Sequence, residues 1–171
     1  MTAAEDDPPR LMWEGKFVRV FKRGRWEYAS RARDIRAVVI LAEVDGKVIL
    51  IDQPRVPIGR RCLELPAGLV GDVDEQATIE DTALKELEEE TGYTAGRIER
   101  LGDFYSSPGM VAESFTLVRA IGVAKTGDGG GDDSEDINVH LVARADIPAF
   151  VAGMRAQGIG IDVKLAMLLD F

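Results

Sequence analysis

Residues 64–93, ELPAGLVGDVDEQATIEDTALKELEEETGY, hold a helix start, an acidic helix face and a helix stop in one stretch. Successive residues of an α-helix lie about 100° apart, so Glu86, Glu89 and Glu90, at i, i+3 and i+4, share a face and Glu88 points away. Ala83, Leu84 and Leu87 form an adjoining apolar stripe that presses the helix onto a core, leaving the glutamate face to look into a cleft. Thr78 is the expected N-cap, with Asp81 three residues on and Glu80 adding charge to the first turn; Gly92 is the expected terminator. Glu88, Glu89 and Glu90 crowd the last turn, where the helix dipole is already negative, so a compensating positive group is expected beside them.

Clustered carboxylates without histidine or cysteine nearby are hard oxygen ligands suited to Mg²⁺ or Mn²⁺, in a site that leaves room for water and substrate phosphates. The succession E-L-P-A-G, spacer, helix and K-E-L-E-E-E-T-G-Y resembles the Nudix box, a glycine and a glutamate followed by R-E-U-x-E-E-x-G-U with U apolar. The resemblance implies metal binding by Glu86, Glu89 and Glu90, joined by the carbonyl of Ala67, and matches Gly92 and Tyr93 to the closing pair. Two positions depart from it. Lys85 stands for the usual arginine, and the early glutamate that braces that arginine falls on Ala77, with Glu75 a substitute if the longer spacer threads differently.

Upstream, Gln53, Arg55, Pro57 and Gly59 resemble the tract that precedes E-L-P-A-G in the ADP-ribose pyrophosphatase branch of that family, which implies substrate contacts for Arg55 and Glu64. Downstream, Pro108 and the S-P-G-x-x-x-E run match that branch's substrate loop and imply binding roles for Pro108 and Glu113. Glu135-Asp136-Ile137-Asn138-Val139-His140 matches its E-D-I-x-V-H stretch and makes Glu135 the candidate base, with Glu89 or another box glutamate as the alternative. The glycines of 127–131 are no phosphate cradle, because neither a Lys-Ser/Thr pair nor a helix start follows them. Residues 127–136 read instead as a mobile acidic loop able to close over substrate. His140, alternating within a strand, reads as structural.

The rest of the chain is framed by composition. At 171 residues one domain is expected, large enough to bury about two-thirds of its unfolded surface. Thirty acidic residues against 21 basic ones give a net charge of −9, a field that repels nucleic acid and anionic membranes. One histidine and one cysteine leave almost no material for a zinc site or a Ser-His-Asp arrangement, and Cys62 reads as a buried reduced thiol. With no apolar leader, and Ala37 to Ala42 as the longest apolar run, the expected compartment is the cytoplasm.

In chain order, residues 1–10 read as a flexible terminus and 11–171 as the domain. Trp13 to Phe21 and the strand starting at Trp26 form an N-terminal hairpin or small sheet, whose aromatic and basic residues serve either a subunit interface or core packing. Ile35–Val44 and Lys47–Ile51 flank an Asp45-Gly46 turn, a strong hairpin signal. Gln53–Gly59 reads as irregular because of its prolines. Strands follow at 97–105, 114–123 and 137–143, then helices at 146–157 and 162–169. The pattern alone is mixed α and β; the resemblance implies an α/β (α+β) Nudix-type α/β/α sandwich with a central mixed sheet, plus the N-terminal β-hairpin, often used for homodimerisation. The reaction it implies is metal-dependent hydrolysis of a phosphoanhydride in a nucleoside diphosphate derivative. Nucleoside di- or triphosphate pyrophosphohydrolysis and a non-catalytic nucleotide-binding module are the alternatives.

Overall fold

The computed structural model describes residues 7–32, 35–71, 76–131 and 135–169. Three antiparallel strands come first: β1 (Arg10–Glu14), β2 (Val18–Arg23) and β3 (Trp26–Arg31). The expected hairpin therefore gains a strand, and Arg10 already belongs to it. Gly24 at the β2–β3 turn has φ 56°, as the turn requires.

The main sheet is built on β4 (Arg36–Val44) and β5 (Lys47–Arg55), joined through Asp45 and Gly46 with φ of 50° and 71°. Two successive left-handed residues give the turn whose twist suits a hairpin. Next come β6 (Arg60–Glu64), β7 (Ala67–Val70), α1 (Ile79–Thr91), β8 (Tyr93–Thr94), β9 (Arg97–Tyr105), β10 (Ser114–Ile121) and β11 (Ala124–Lys125). The chain ends with β12 (Asn138–Ala143), α2 (Ile147–Ala156), β13 (Gly160–Ile161) and a 3₁₀ turn, Val163–Leu168. The strand order is β13-β6-β5-β4-β10-β9, with β12 also on β5 and β7 also on β4. β10 runs parallel to β4 and β13 parallel to β6, while the other pairs are antiparallel, so the sheet is mixed.

Alternation along β4 and β5 divides the core. Val38, Ile40 and Ala42, with Ile49, face α1 through Ala83 and Leu87; Val39, Val48 and Leu50 face α2 through Ile147, Val151 and Met154. Each face of the sheet thus carries helical cover, which is the α/β/α sandwich. Fully burying a side chain such as Leu87 or Ile147 contributes about 1.5–3 kcal/mol.

Two expectations are revised. β5 runs through Pro54 to Arg55, because beyond Asp52 only β6 pairs with it and a proline facing the unpaired side breaks no ladder. The final segment is 3₁₀ rather than α, opened by Asp162, whose carboxylate accepts from the Lys164 amide at 2.7 Å. Among the described residues no helix is long and apolar enough to cross a membrane.

Candidate functional site

Helix α1 is fixed at both ends as its sequence demands. Thr78 Oγ1 accepts from the Asp81 amide at 3.1 Å and the Asp81 carboxylate accepts from the Thr78 amide at 3.4 Å, closing a capping box; Gly92, at φ 72°, donates to the Glu88 carbonyl at 2.9 Å. Between these ends the helix lies against β7. The Ala67 amide donates to Glu90 Oε2 at 3.0 Å, and a Cβ at Gly68 would land on the Glu86 carboxylate, so Gly68 lets that side chain lie over the strand.

The result is a cavity of about 660 Å³ whose walls include Arg55, Glu64, Ala67, Glu86, Glu90, Glu113 and Glu135. Glu89 and Pro108 do not line it. Glu89 is half-exposed and paired with Lys85 at 3.0 Å, and Pro108 stands in the turn before Glu113. Helical spacing put three glutamates on one face, but packing against β7 draws in two and leaves the third at the rim. Glu75 lies outside the described residues.

Glu90 is 4% exposed. Burial pushes its carboxyl up to about 8, and the nearby Glu86 and Glu135 push the same way, against the Ala67 amide and Arg55. Glu86 is also raised, chiefly by burial. Among the described residues no three acidic, histidine or cysteine side chains close into a metal cage. The donor set nevertheless fits a divalent cation: carboxylates of Glu86, Glu90 and Glu135 converge on one cavity, and their mutual repulsion is what a cation relieves. Binding must expel the proton that Glu90 retains below pH about 8. Mn²⁺ affinity, followed by its paramagnetic resonance signal, is expected to rise by up to tenfold per pH unit between 6 and 8 and then level off; a flat profile would contradict it.

The compensation expected at the end of α1 comes from Lys85, paired with Glu89, and from backbone amides. Gly130 N–H donates to the Glu90 carbonyl at 2.9 Å and Gly131 N–H to the Glu89 carbonyl at 3.0 Å, while Thr126 and Gly127 donate to the Gly92 carbonyl at 2.8 and 3.0 Å. Four amide dipoles thus meet the negative end of the helix, whose own last turn carries no basic residue. The ladder between β8 and β11 delivers the glycines to that position. The part of the acidic loop at 127–131 is therefore docked on α1 as a strap, while residues 132–134 lie outside the described residues.

A model of the NUDIX domain matches residues 32–157. The chain belongs to the Nudix hydrolase family. A GDP-mannose pyrophosphatase of Pectobacterium atrosepticum is 34% identical to this Nudix hydrolase over 169 residues, covering 91% of this chain and 83% of its own. An ADP-ribose pyrophosphatase of Bacillus subtilis is 47% identical over 78 residues, 45% of this chain and 40% of its own. A crystal structure of an ADP compounds hydrolase superposes with a TM-score of 0.66 at 21% identity, covering 84% of this chain and 83% of that one, which is a likeness of fold.

The basic side chains of this Nudix site are each held by a carboxylate. Arg55 grips the buried Glu64 through two bonds, Nε to Oε1 at 2.7 Å and Nη2 to Oε2 at 2.8 Å, so Glu64 fixes the arginine. Arg55→Ala strands that carboxylate. It is expected to lower the melting temperature by several degrees, roughly 1–3 kcal/mol given that Arg55 is part exposed, and Glu64→Gln on top should recover part of the loss. If the double variant melts lower than the single one, Glu64 has another role. Glu113 accepts from Arg31 Nε at 2.7 Å, which brings the end of β3 to the cavity wall, and Lys164 reaches the same wall beside Asp162. Sequence reading singled out neither Arg31 nor Lys164, since each meets the site only through tertiary packing. Cys62 is buried, with its thiol pushed up to about 12 by burial, and has the character of a structural residue.

Proposed function

We propose that this chain hydrolyses the phosphoanhydride of a nucleoside diphosphate linked to a sugar, of the ADP-ribose or nucleotide-sugar type, with Mg²⁺ or Mn²⁺ as cofactor. The observation that carries the reading is a single cavity in which buried carboxylates on α1 face an arginine pinned by Glu64. The pyrophosphatase relatives support the substrate class.

Glu86, Glu90 and the Ala67 carbonyl would hold the metal, with Glu89 joining from the rim. Bound there, a divalent cation supplies charge neutralisation for the diphosphate and a lowered pKa for water. Glu135, also on the cavity wall, takes the proton of the attacking water, with Glu89 as the alternative base. Arg55 meets the phosphates, its guanidinium oriented before substrate arrives. Glu113, Arg31 and the Pro108 turn shape the end of the cavity that receives the distal group, and Glu64 acts through Arg55. The chain is proposed to work in the cytoplasm as a homodimer. Exposed Trp13 and Trp26 on the N-terminal sheet, with exposed Phe17 between β1 and β2, support the dimer; a light-scattering mass of one chain would remove it.

The test is a panel of ADP-ribose, nucleotide sugars, and nucleoside di- and triphosphates with Mg²⁺ or Mn²⁺, products resolved by ion-exchange chromatography. Nucleoside monophosphate and sugar phosphate, formed by the wild type and lost in Glu86→Gln, would support the reading. Turnover confined to triphosphates would replace it with nucleotide-pool hydrolysis, and nucleotide binding without turnover would leave a binding module.

A further inference from the structure

Arg61 on β6 takes no part in the cavity, yet its guanidinium joins two strands to the segment that carries Glu135. Nε donates to the Asp52 carboxylate and Nη2 to the Asp52 carbonyl at 2.8 Å; the same Nη2 reaches the Asp136 carbonyl at 2.8 Å, and Nη1 reaches Asp136 Oδ2 at 2.6 Å. Asp52 is the fixed end. Its side chain is 4% exposed and also meets His140 Nε2 at 2.6 Å and the Asn138 amide at 3.3 Å. Burial alone would raise the Asp52 carboxyl, but these hydrogen bonds, Arg61 first, hold it below the usual carboxylate range. Arg61 is thus locked on an anion in the sheet, and the free edge of its fork is aimed at Asp136.

On the N-terminal side, Gly130 and Gly131 are tied to the Glu90 and Glu89 carbonyls, and Gly131 lies so close to Glu135 that a Cβ there would land on the glutamate side chain. One tether leads to the helix that carries the acidic cluster and the other to the β5–β6 pair that carries Arg55 and Glu64. Glu135 stands between them on the cavity wall.

We propose that Arg61 is a positioning residue, holding Asp136 so that Glu135 is fixed over the cavity from its C-terminal side while the glycine strap fixes it from the other. The proposal rests on the reading of Glu135 as base. Its two arms differ in exposure, which makes it testable. The Asp52 arm is buried and supports the fold, whereas the Asp136 side chain is 73% exposed, and an ion pair there contributes little to stability.

Asp136→Ala is therefore expected to melt within about 2 °C of the wild type. A base displaced by a fraction of an ångström loses rate rather than affinity, so kcat should fall roughly tenfold with KM changed less than about twofold. Asp136→Asn, which keeps an acceptor for Nη1, should recover most of it. Arg61→Lys keeps charge against Asp52 but cannot span both partners, and should lose kcat in the same way per folded molecule. Amide exchange at Gly130 and Gly131 should quicken in both Asp136→Ala and Arg61→Lys.

An Asp136→Ala enzyme with kcat within about twofold of wild type, beside a Glu135→Gln enzyme that is crippled, overturns the proposal and leaves the base assignment standing. An active Glu135→Gln overturns the base assignment and the catalytic proposal with it; amide exchange then decides whether Arg61 holds the strap at all, unchanged exchange refuting that too.

Discussion

Glu90→Gln is expected to lose at least about a hundredfold in kcat/KM, the equivalent of roughly 2.7 kcal/mol of transition-state stabilisation or more, and yet to give a metal-free protein more stable than the wild type at alkaline pH. Both effects come from one cause. Glu90 is buried beside Glu86 and Glu135 with its pKa at about 8, whereas in the unfolded chain it titrates as an ordinary glutamate near 4.3. Below about pH 4 both states are protonated and the group has no effect on stability. As pH rises, the unfolded chain releases its proton first and the folded chain holds on until about 8, so stability falls through that window and the loss is complete above it. Glutamine has no proton to release. In EDTA, the variant should melt close to the wild type at pH 4.5 and well above it at pH 8.5, by an amount on the order of a few kcal/mol because Glu86 titrates with it. Mn²⁺ should reverse the order by stabilising the wild type alone. An equal offset at both pH values would mean that shape, not charge, sets the difference.

Gly129→Ala is the second large effect, and it should be felt far from the residue's apparent place in a loop. Gly129 has φ 70°, and a Cβ there would collide with the backbone of Thr91 and Gly92, the end of α1. Neither backbone can yield as a flexible side chain would. The strap must lift, freeing the Glu89 and Glu90 carbonyls from their amide partners, and about 2–4 kcal/mol is expected from backbone strain and lost capping together. That corresponds to a fall in melting temperature of roughly 5–15 °C for a chain of this size. Activity should fall too, since α1 carries the glutamates and Gly131 of the strap lies against Glu135. Gly153→Ala in α2 is the control: its Cβ meets nothing within 4 Å and the residue is helical, so a gain of about 0.5–1 kcal/mol is expected. If Gly129→Ala melted like the wild type, the strap would not be holding the helix end.

The two faces of the acidic tract illustrate what could be read in advance. Thr78, Asp81 and Gly92 are local devices, acting over three or four residues, and each does what its position in the sequence says. The hairpin at Asp45-Gly46 and the alternation of β4 and β5 are equally local, and with the helix between strands they made the layered mixed fold legible. The continuation of β5 through Pro54 depends on which strand pairs beyond Asp52, and a short apolar pattern such as that of the final segment does not by itself separate a 3₁₀ from an α-helix, so neither was legible.

The site divides in the same way. Which carboxylates lie on one helix face follows from 100° per residue, but which of them enters the cavity follows from where β7 passes, and that turned Glu89 toward Lys85 while Glu90 was buried under the Ala67 amide. The acidic end of α1 called for positive compensation, and a sequence cannot reveal that part of it would arrive as amides from a segment some forty residues later. Arg31 and Glu113, 82 positions apart, and Asp52 and His140, 88 apart, meet for the same reason. By itself the sequence determined the caps of α1, the Asp45-Gly46 hairpin and the mixed layered fold, because propensity and periodicity are properties of neighbouring residues. Only the tertiary structure decided which glutamate is buried, what holds Arg55 and what anchors Glu135, because burial and partner choice are set by surfaces that come together when the whole chain is packed.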